Sequence, residues 1–145
     1  MKPTINNKFA VGFAGLSLIG FADTAYLTAK HFLGEIPPCT ITGCEAVLTS
    51  TYSEILGIPL SLFGAIYYLT ILILSVLYLD KRNSTFLEIT SKFTAVGFIT
   101  SIVLVYLQLY VIKAICQYCM ISASTSTLLF LLGSYYIFTQ NKPKK

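Results

Sequence analysis

Between Pro59 and Leu79 the chain reads PLSLFGAIYYLTILILSVLYL, an uncharged run long enough to cross a bilayer. A half-buried soluble helix or strand would break such a run with polar positions at its own period. Three more stretches share this character: Phe9 to Phe32, Phe93 to Ile112, and Cys116 to Thr139. Each approaches the roughly 20 residues that a helix needs to span the hydrocarbon core. The composition agrees, with 55% hydrophobic and only 11% charged residues and a mean hydropathy of +0.74, well outside the soluble range. A chain of 145 residues holds about four such helices and short connections, without room for a second folded domain. The expected fold is therefore an all-α integral membrane protein, one domain over 1–145, built as a four-transmembrane-helix bundle.

The connections decide sidedness. Residues 33–58 form an outer loop carrying Glu35, Glu45 and Glu54; residues 80–92 form an inner loop carrying Lys81, Arg82 and Lys92; a third, very short connection surrounds Lys113. With the amino terminus in the cytoplasm, Lys2, Lys8, Lys81, Arg82, Lys92, Lys142, Lys144 and Lys145 all fall on the inner side, leaving Lys30 and Lys113 outside. Both termini are thus expected in the cytoplasm, with the acidic loop and every cysteine at the outer face of the cell membrane. The net charge of +4 follows this topology and forms no interleaved basic patch, which argues against nucleic-acid binding.

The first stretch is too long for a signal-peptide core, contains Asp23 and lacks a clear small-residue cleavage site, so it is expected to stay as a helix. Pro59 suits the opening of the second helix, where its missing amide donor costs nothing. Just before it, Glu45 to Leu56 alternates at helical spacing and predicts a short amphipathic helix on the membrane surface. The basic tail at Asn141 to Lys145 fits a stop-transfer flank.

The cysteines fall into two pairs: Cys39 and Cys44 in the outer loop, Cys116 and Cys119 at the start of the last helix. Residues three apart on a helix share a face, so Cys116 and Cys119 can open and close a disulfide with little backbone movement. Helix-start amides favour a thiolate there. That depth also brings the pair to the mouth of an apolar pocket between helices, within reach of a lipid-soluble acceptor such as a quinone. Cys39, after Pro37 and Pro38, and Cys44, after Gly43, sit on a turn suited to passing electrons from a soluble protein to the buried pair, because exchange runs through a mixed disulfide.

Plainer explanations stand beside this one. Both pairs could be structural disulfides in an oxidising compartment, although a bridge between Cys116 and Cys119 closes too small a loop to restrain much. Four thiols spaced C-x4-C and C-x2-C could also hold zinc, but one pair lies on a membrane helix and the loop is no compact knuckle. Asp23 lies within a span, where a charge is costly and either functional or held by hydrogen bonds. Lys30 and His31 anchor the first helix at the interface. Tyr106 and Tyr110, four apart, form an aromatic stripe or line the pocket.

Several stretches in one order resemble the vitamin K epoxide reductase family, specifically its prokaryotic quinone-reducing members. They are Ala25-Tyr26-Leu27-Thr28, Gly43-Cys44, Ser50, Gly57-Ile58-Pro59-Leu60-Ser61-Leu62-Phe63-Gly64, and Cys116-Gln117-Tyr118-Cys119. The resemblance implies a four-helix bundle around a quinone of ubiquinone or menaquinone type. It implies that Cys119 reacts with the quinone, that Cys116 bridges to Cys119 as the active disulfide, and that Cys44 exchanges with Cys116. Cys39 would meet a thioredoxin-like, DsbA-like protein, whose oxidation generates disulfides in exported proteins. Ser50 matches a serine suggested to support the site, and Phe63 an aromatic lining the quinone pocket. A helix cap for Ser50 and plain packing for Phe63 are the simpler alternatives. The chain departs from the pattern at Leu60, where some members carry asparagine, and at Ala123, where vertebrate enzymes carry tyrosine. With no thioredoxin-like domain after the last helix, the expected partner is a separate protein.

Overall fold

The computed structural model describes residues 3–142, with side chains from Asn6 onward. Lys2, Lys144 and Lys145, used above to argue sidedness, lie outside the described residues, as does most of the tail 141–145. Helix α1 (Pro3–Leu33) leads into a loop that carries the short helix α2 (Cys44–Leu48) and a 3-10 turn (Thr51–Ser53). A two-stranded antiparallel hairpin, β1 (Glu54–Ile55) and β2 (Ile58–Pro59), pairs Glu54 with Pro59 and closes that loop. Helices α3 (Leu60–Lys81), α4 (Ser84–Tyr106) and α5 (Gln117–Gln140) complete the bundle. The four long helices are each long and apolar enough to cross a membrane.

Packing is that of a lipid-solvated bundle. Large apolar side chains such as Val11, Ile73, Ile99 and Leu131 face outward. Small hydroxyl residues lie inside instead, and Ser75 and Thr94 donate to the carbonyls of Ile71 and Ser91 one turn back. Such residues let backbones approach, and no water in the hydrocarbon core competes for their hydrogen bonds. Helix α1 packs mainly on α3, and α4 on α5. At the second contact a side chain on Gly133 would come within 3.1 Å of the Ser91 backbone. Phe13, Ile71, Leu87 and Leu129, one from each long helix, are fully buried at the centre.

The two ends of the bundle differ. At one, Arg82 donates to Asn7 and Gln140 to Asn6, which gathers the start of α1, the α3–α4 connection and the end of α5. The loop between α1 and α3 and the connection before α5 meet at the other, and all four cysteines lie there.

Three sequence expectations need correction. The inner loop expected over 80–92 shrinks to Arg82 and Asn83: Arg82 ends α3 in the left-handed region, and the Asn83 side chain caps α4 by accepting from the Thr85 amide. An asparagine before a helix-permissive run starts that helix at once. Pro59 stands just before the first residue of α3, in extended backbone as part of β2. The surface helix expected over Glu45 to Leu56 holds only to Leu48. Past that point Thr49, Ser50 and Ser53 donate from their hydroxyls to carbonyls three or four residues back, and the backbone turns into the 3-10 segment. Leu56 and Gly57 then take positive φ values of 54° and 78° to make the hairpin turn.

Candidate functional site

Cys39 and Cys44 are joined in a disulfide, their Cα atoms 6.3 Å apart, while Cys116 and Cys119 are free thiols. Cys44, Val47 and Cys116 form one buried cluster, at 2%, 7% and 0% exposure, and Cys39 and Cys119 pack against it. The loop therefore delivers its sulfurs to the helix pair. Gly43 makes this approach possible. Its φ of +114° is open to glycine, and a Cβ there would lie 3.2 Å from the Ala114 Cβ and 3.3 Å from the Ile115 amide. More ties hold the loop down: the Tyr118 hydroxyl donates to the Pro38 carbonyl at 2.7 Å, and the Thr40 amide and hydroxyl both donate to the Gln117 side chain.

The segment before α5 is shaped by its backbone. Helix α4 widens into a π-turn (Leu107–Ile112), a geometry frequent at functional sites, and Lys113 ends it in the left-handed region. Gln108, buried at that turn, accepts the Cys116 amide on its side-chain oxygen at 3.1 Å. Cys116 is the N-cap of α5 and Cys119 its third residue. The Cys116 thiol is pulled from 9.0 down to about 7, chiefly by a hydrogen bond from the Cys119 thiol. Burial and the charge of Asp23 push the other way, and the helix-start amides of Cys119 and Tyr118 help the thiolate without closing a full cap bond.

Cys119 differs from Cys116 in what it faces. A cavity of about 990 Å3 lies between α1, α3, α4 and α5 beneath the outer loop, and Cys119 is on its wall while Cys116 is not. Ser50 and Phe63 line the same cavity. Ser50 also donates to the Val47 carbonyl at 2.7 Å and precedes the 3-10 turn without capping it by side chain. Leu60 and Ala123 line it too and offer apolar surface.

A family model described as the vitamin K epoxide reductase family matches residues 11–133. The chain belongs to that family. It is similar to the thiol-disulfide oxidoreductase LTO1 of Arabidopsis thaliana, at 31% identity over 121 residues, which covers 77% of this chain and 32% of the relative. The chain thus spans about a third of that relative's length. For a member of the vitamin K epoxide reductase family with four spanning helices, a multi-pass membrane setting follows.

Other residues singled out in the sequence take different places. Tyr106 and Tyr110 stack with ring centroids 5.0 Å apart on the outer surface of α4, off the cavity wall. His31 contacts Glu54 at 3.2 Å and Lys30 contacts Glu35 at 2.5 Å, so both tie the end of α1 to the loop. One carboxylate oxygen of Asp23 is buried with no hydrogen-bond partner among the described residues. Sequence reasoning missed Gln108, although an amide side chain within an otherwise apolar stretch was a usable signal.

Proposed function

We propose that this chain is a quinone-dependent membrane thiol-disulfide oxidoreductase. It would take electrons from a separate thioredoxin-like protein, through Cys39 and Cys44 to Cys116 and Cys119, and pass them to a ubiquinone- or menaquinone-type acceptor, so generating disulfides for exported proteins. The observation that carries this is the division of the helix pair: Cys116 is buried against Cys44, whereas Cys119 opens on the cavity. Family membership and the name of the Arabidopsis relative support disulfide redox chemistry. The charge pattern supports cytoplasmic termini and an outer cysteine face.

The cavity suits a quinone by size and by a largely apolar wall that also carries hydroxyl side chains able to meet carbonyl oxygens. When bound there, a quinone supplies a two-electron, two-proton sink. The chain's own part is sulfur chemistry. A thiolate on the partner attacks the Cys39–Cys44 disulfide, and the partner's second thiol releases it as a new disulfide, leaving both loop thiols reduced. The Cys44 thiolate then attacks Cys116 of the oxidised helix pair, Cys119 leaves as thiolate, and Cys39 resolves the mixed disulfide. The loop is then oxidised and the helix pair reduced. Finally the two helix thiols lose two electrons and two protons and rejoin as a disulfide. Ser50 and Phe63, from their places on the wall, would hold the acceptor beside Cys119.

The observed loop disulfide also suits a purely structural staple. Purified protein given a quinone and a reduced thioredoxin-like protein separates the two. Relay chemistry predicts quinone reduction that is lost in Cys39→Ala and in Cys119→Ala. Unchanged turnover in Cys119→Ala would overturn the relay.

A further inference from the structure

Two adjacent tyrosines on α3 meet two serines on α5 in different ways. The Tyr68 hydroxyl donates to the Ser122 carbonyl at 2.7 Å and lies 3.0 Å from the Ser122 hydroxyl, so that pair is closed on itself. The hydroxyls of Tyr67 and Ser126 are buried side by side against Gly97, and neither makes a well-aligned hydrogen bond among the described residues. Ser126 is only 2% exposed, and Tyr67 and Ser126 both stand on the cavity wall. Buried polar atoms are rarely left unmet, and those that are point to a missing partner.

The surroundings keep this spot open. Gly97 on α4 faces the two hydroxyls, and a Cβ there would run into the Tyr67 hydroxyl and come within 2.7 Å of the Ser126 Oγ. Ser126 follows Cys119 by two helical turns on the same face of α5, about 10 Å deeper along its axis. The cavity wall therefore carries a sulfur at Cys119 and, two turns along α5, a pair of unsatisfied hydroxyls, with apolar side chains such as Leu60, Phe93 and Ala123 among the other residues that line it. Both hydroxyls can donate, and an apolar ligand with an acceptor oxygen at one end meets that demand.

We propose that Tyr67 and Ser126 are a donor pair that binds one carbonyl oxygen of the quinone and so fixes which edge of its ring meets Cys119. This rests on the quinone assignment above and extends it to two residues of the chain. The test is equilibrium binding to the full-length protein in detergent, with its cysteines kept oxidised so that no thiol reacts with the probe. The probes are 2-methyl-1,4-naphthoquinone and 2-methylnaphthalene, the same ring system without carbonyls. Tyr67→Phe and Ser126→Ala should each weaken the quinone by about 3- to 10-fold, the worth of one neutral hydrogen bond, and leave the hydrocarbon unchanged within about twofold. Equal affinity of wild type and both variants for the quinone overturns the proposal, and so does a parallel loss of both probes. A wild-type protein that does not prefer the quinone over the hydrocarbon overturns the quinone assignment and the donor pair together.

Discussion

The side-chain oxygen of Gln108 accepts the backbone amide of Cys116 at 3.1 Å, both groups buried. That bond crosses from the π-turn to the N-cap of α5 and fixes the backbone that carries the first thiol of the C-x-x-C pair. A buried amide stripped of its acceptor costs the whole desolvation penalty of the group. Gln108→Leu should therefore lower stability by about 1–3 kcal/mol, read as thermal unfolding in detergent. Gln117→Leu removes only the exposed bonds from Thr40 and should cost no more than about 1 kcal/mol. Equal losses in the two variants would show that Gln108 does nothing special for Cys116.

Cys44 shares a buried cluster with Cys116, while Cys119 faces the cavity. The mixed disulfide of internal exchange should therefore form at Cys116. A Cys39→Ser, Cys119→Ser double variant, mildly oxidised, should trap Cys44 bonded to Cys116, seen as one cross-linked peptide by mass spectrometry. The matching Cys39→Ser, Cys116→Ser variant should give little Cys44–Cys119 product. Comparable yields from both would remove the distinction between the two helix thiols.

Protonation of Cys116 sets a pH dependence. Its folded pKa, about 7, lies below the ordinary 9.0, so the native state favours the thiolate. Lowering pH through about 7 protonates it and should slow closure of the Cys116–Cys119 disulfide, while raising pH above 7 should speed that step until the thiolate is complete. By linkage, this thiol contributes stability that is fully present above 9.0 and is lost as pH falls through about 7. The Asp23 charge opposes the thiolate, so Asp23→Asn should move the midpoint lower. Single-turnover rates across pH, in wild type and Asp23→Asn, test both; an upward shift in the variant would contradict the assigned sign.

Much of this was legible in the sequence, for identifiable reasons. Hydropathy declares a membrane helix directly, and Pro59 to Leu79 could be nothing else at its length. The cysteine pairs were visible as spacing. Element ends were less so: Lys92 looked like loop because it is charged, yet α4 runs through it, with Lys92 and Glu88 paired one turn apart at 2.8 Å. The outer loop misled for the opposite reason. Its helical periodicity from Glu45 onward was real, but hydroxyl side chains that bond back to the chain outweigh it past Leu48. The open hydroxyls of Tyr67 and Ser126 leave no mark in sequence, because neighbouring Tyr68 and Ser122 look the same and differ only in finding each other.

Gly43 and Gly57 both hold positive φ, at +114° and +78°, but only Gly43 is pressed against another segment. A Cβ on Gly43 meets Ala114 and Ile115, just before Cys116, whereas a Cβ on Gly57 has nothing within 4 Å. Backbone strain alone should destabilise either alanine variant by about 1–3 kcal/mol. The functional consequences should part. Gly43→Ala has to push α2, and Cys44 with it, away from Cys116, so transfer between the two cysteine pairs should slow by an order of magnitude or more. Gly57→Ala strains a hairpin turn that touches neither pair, and its transfer rate should stay within about twofold of wild type once unfolded protein is discounted. Rapid-quench alkylation after adding reduced partner measures the transfer step separately from quinone reduction. If Gly43→Ala transfers as fast as Gly57→Ala, close seating of the loop on the last helix is not what couples the two disulfides.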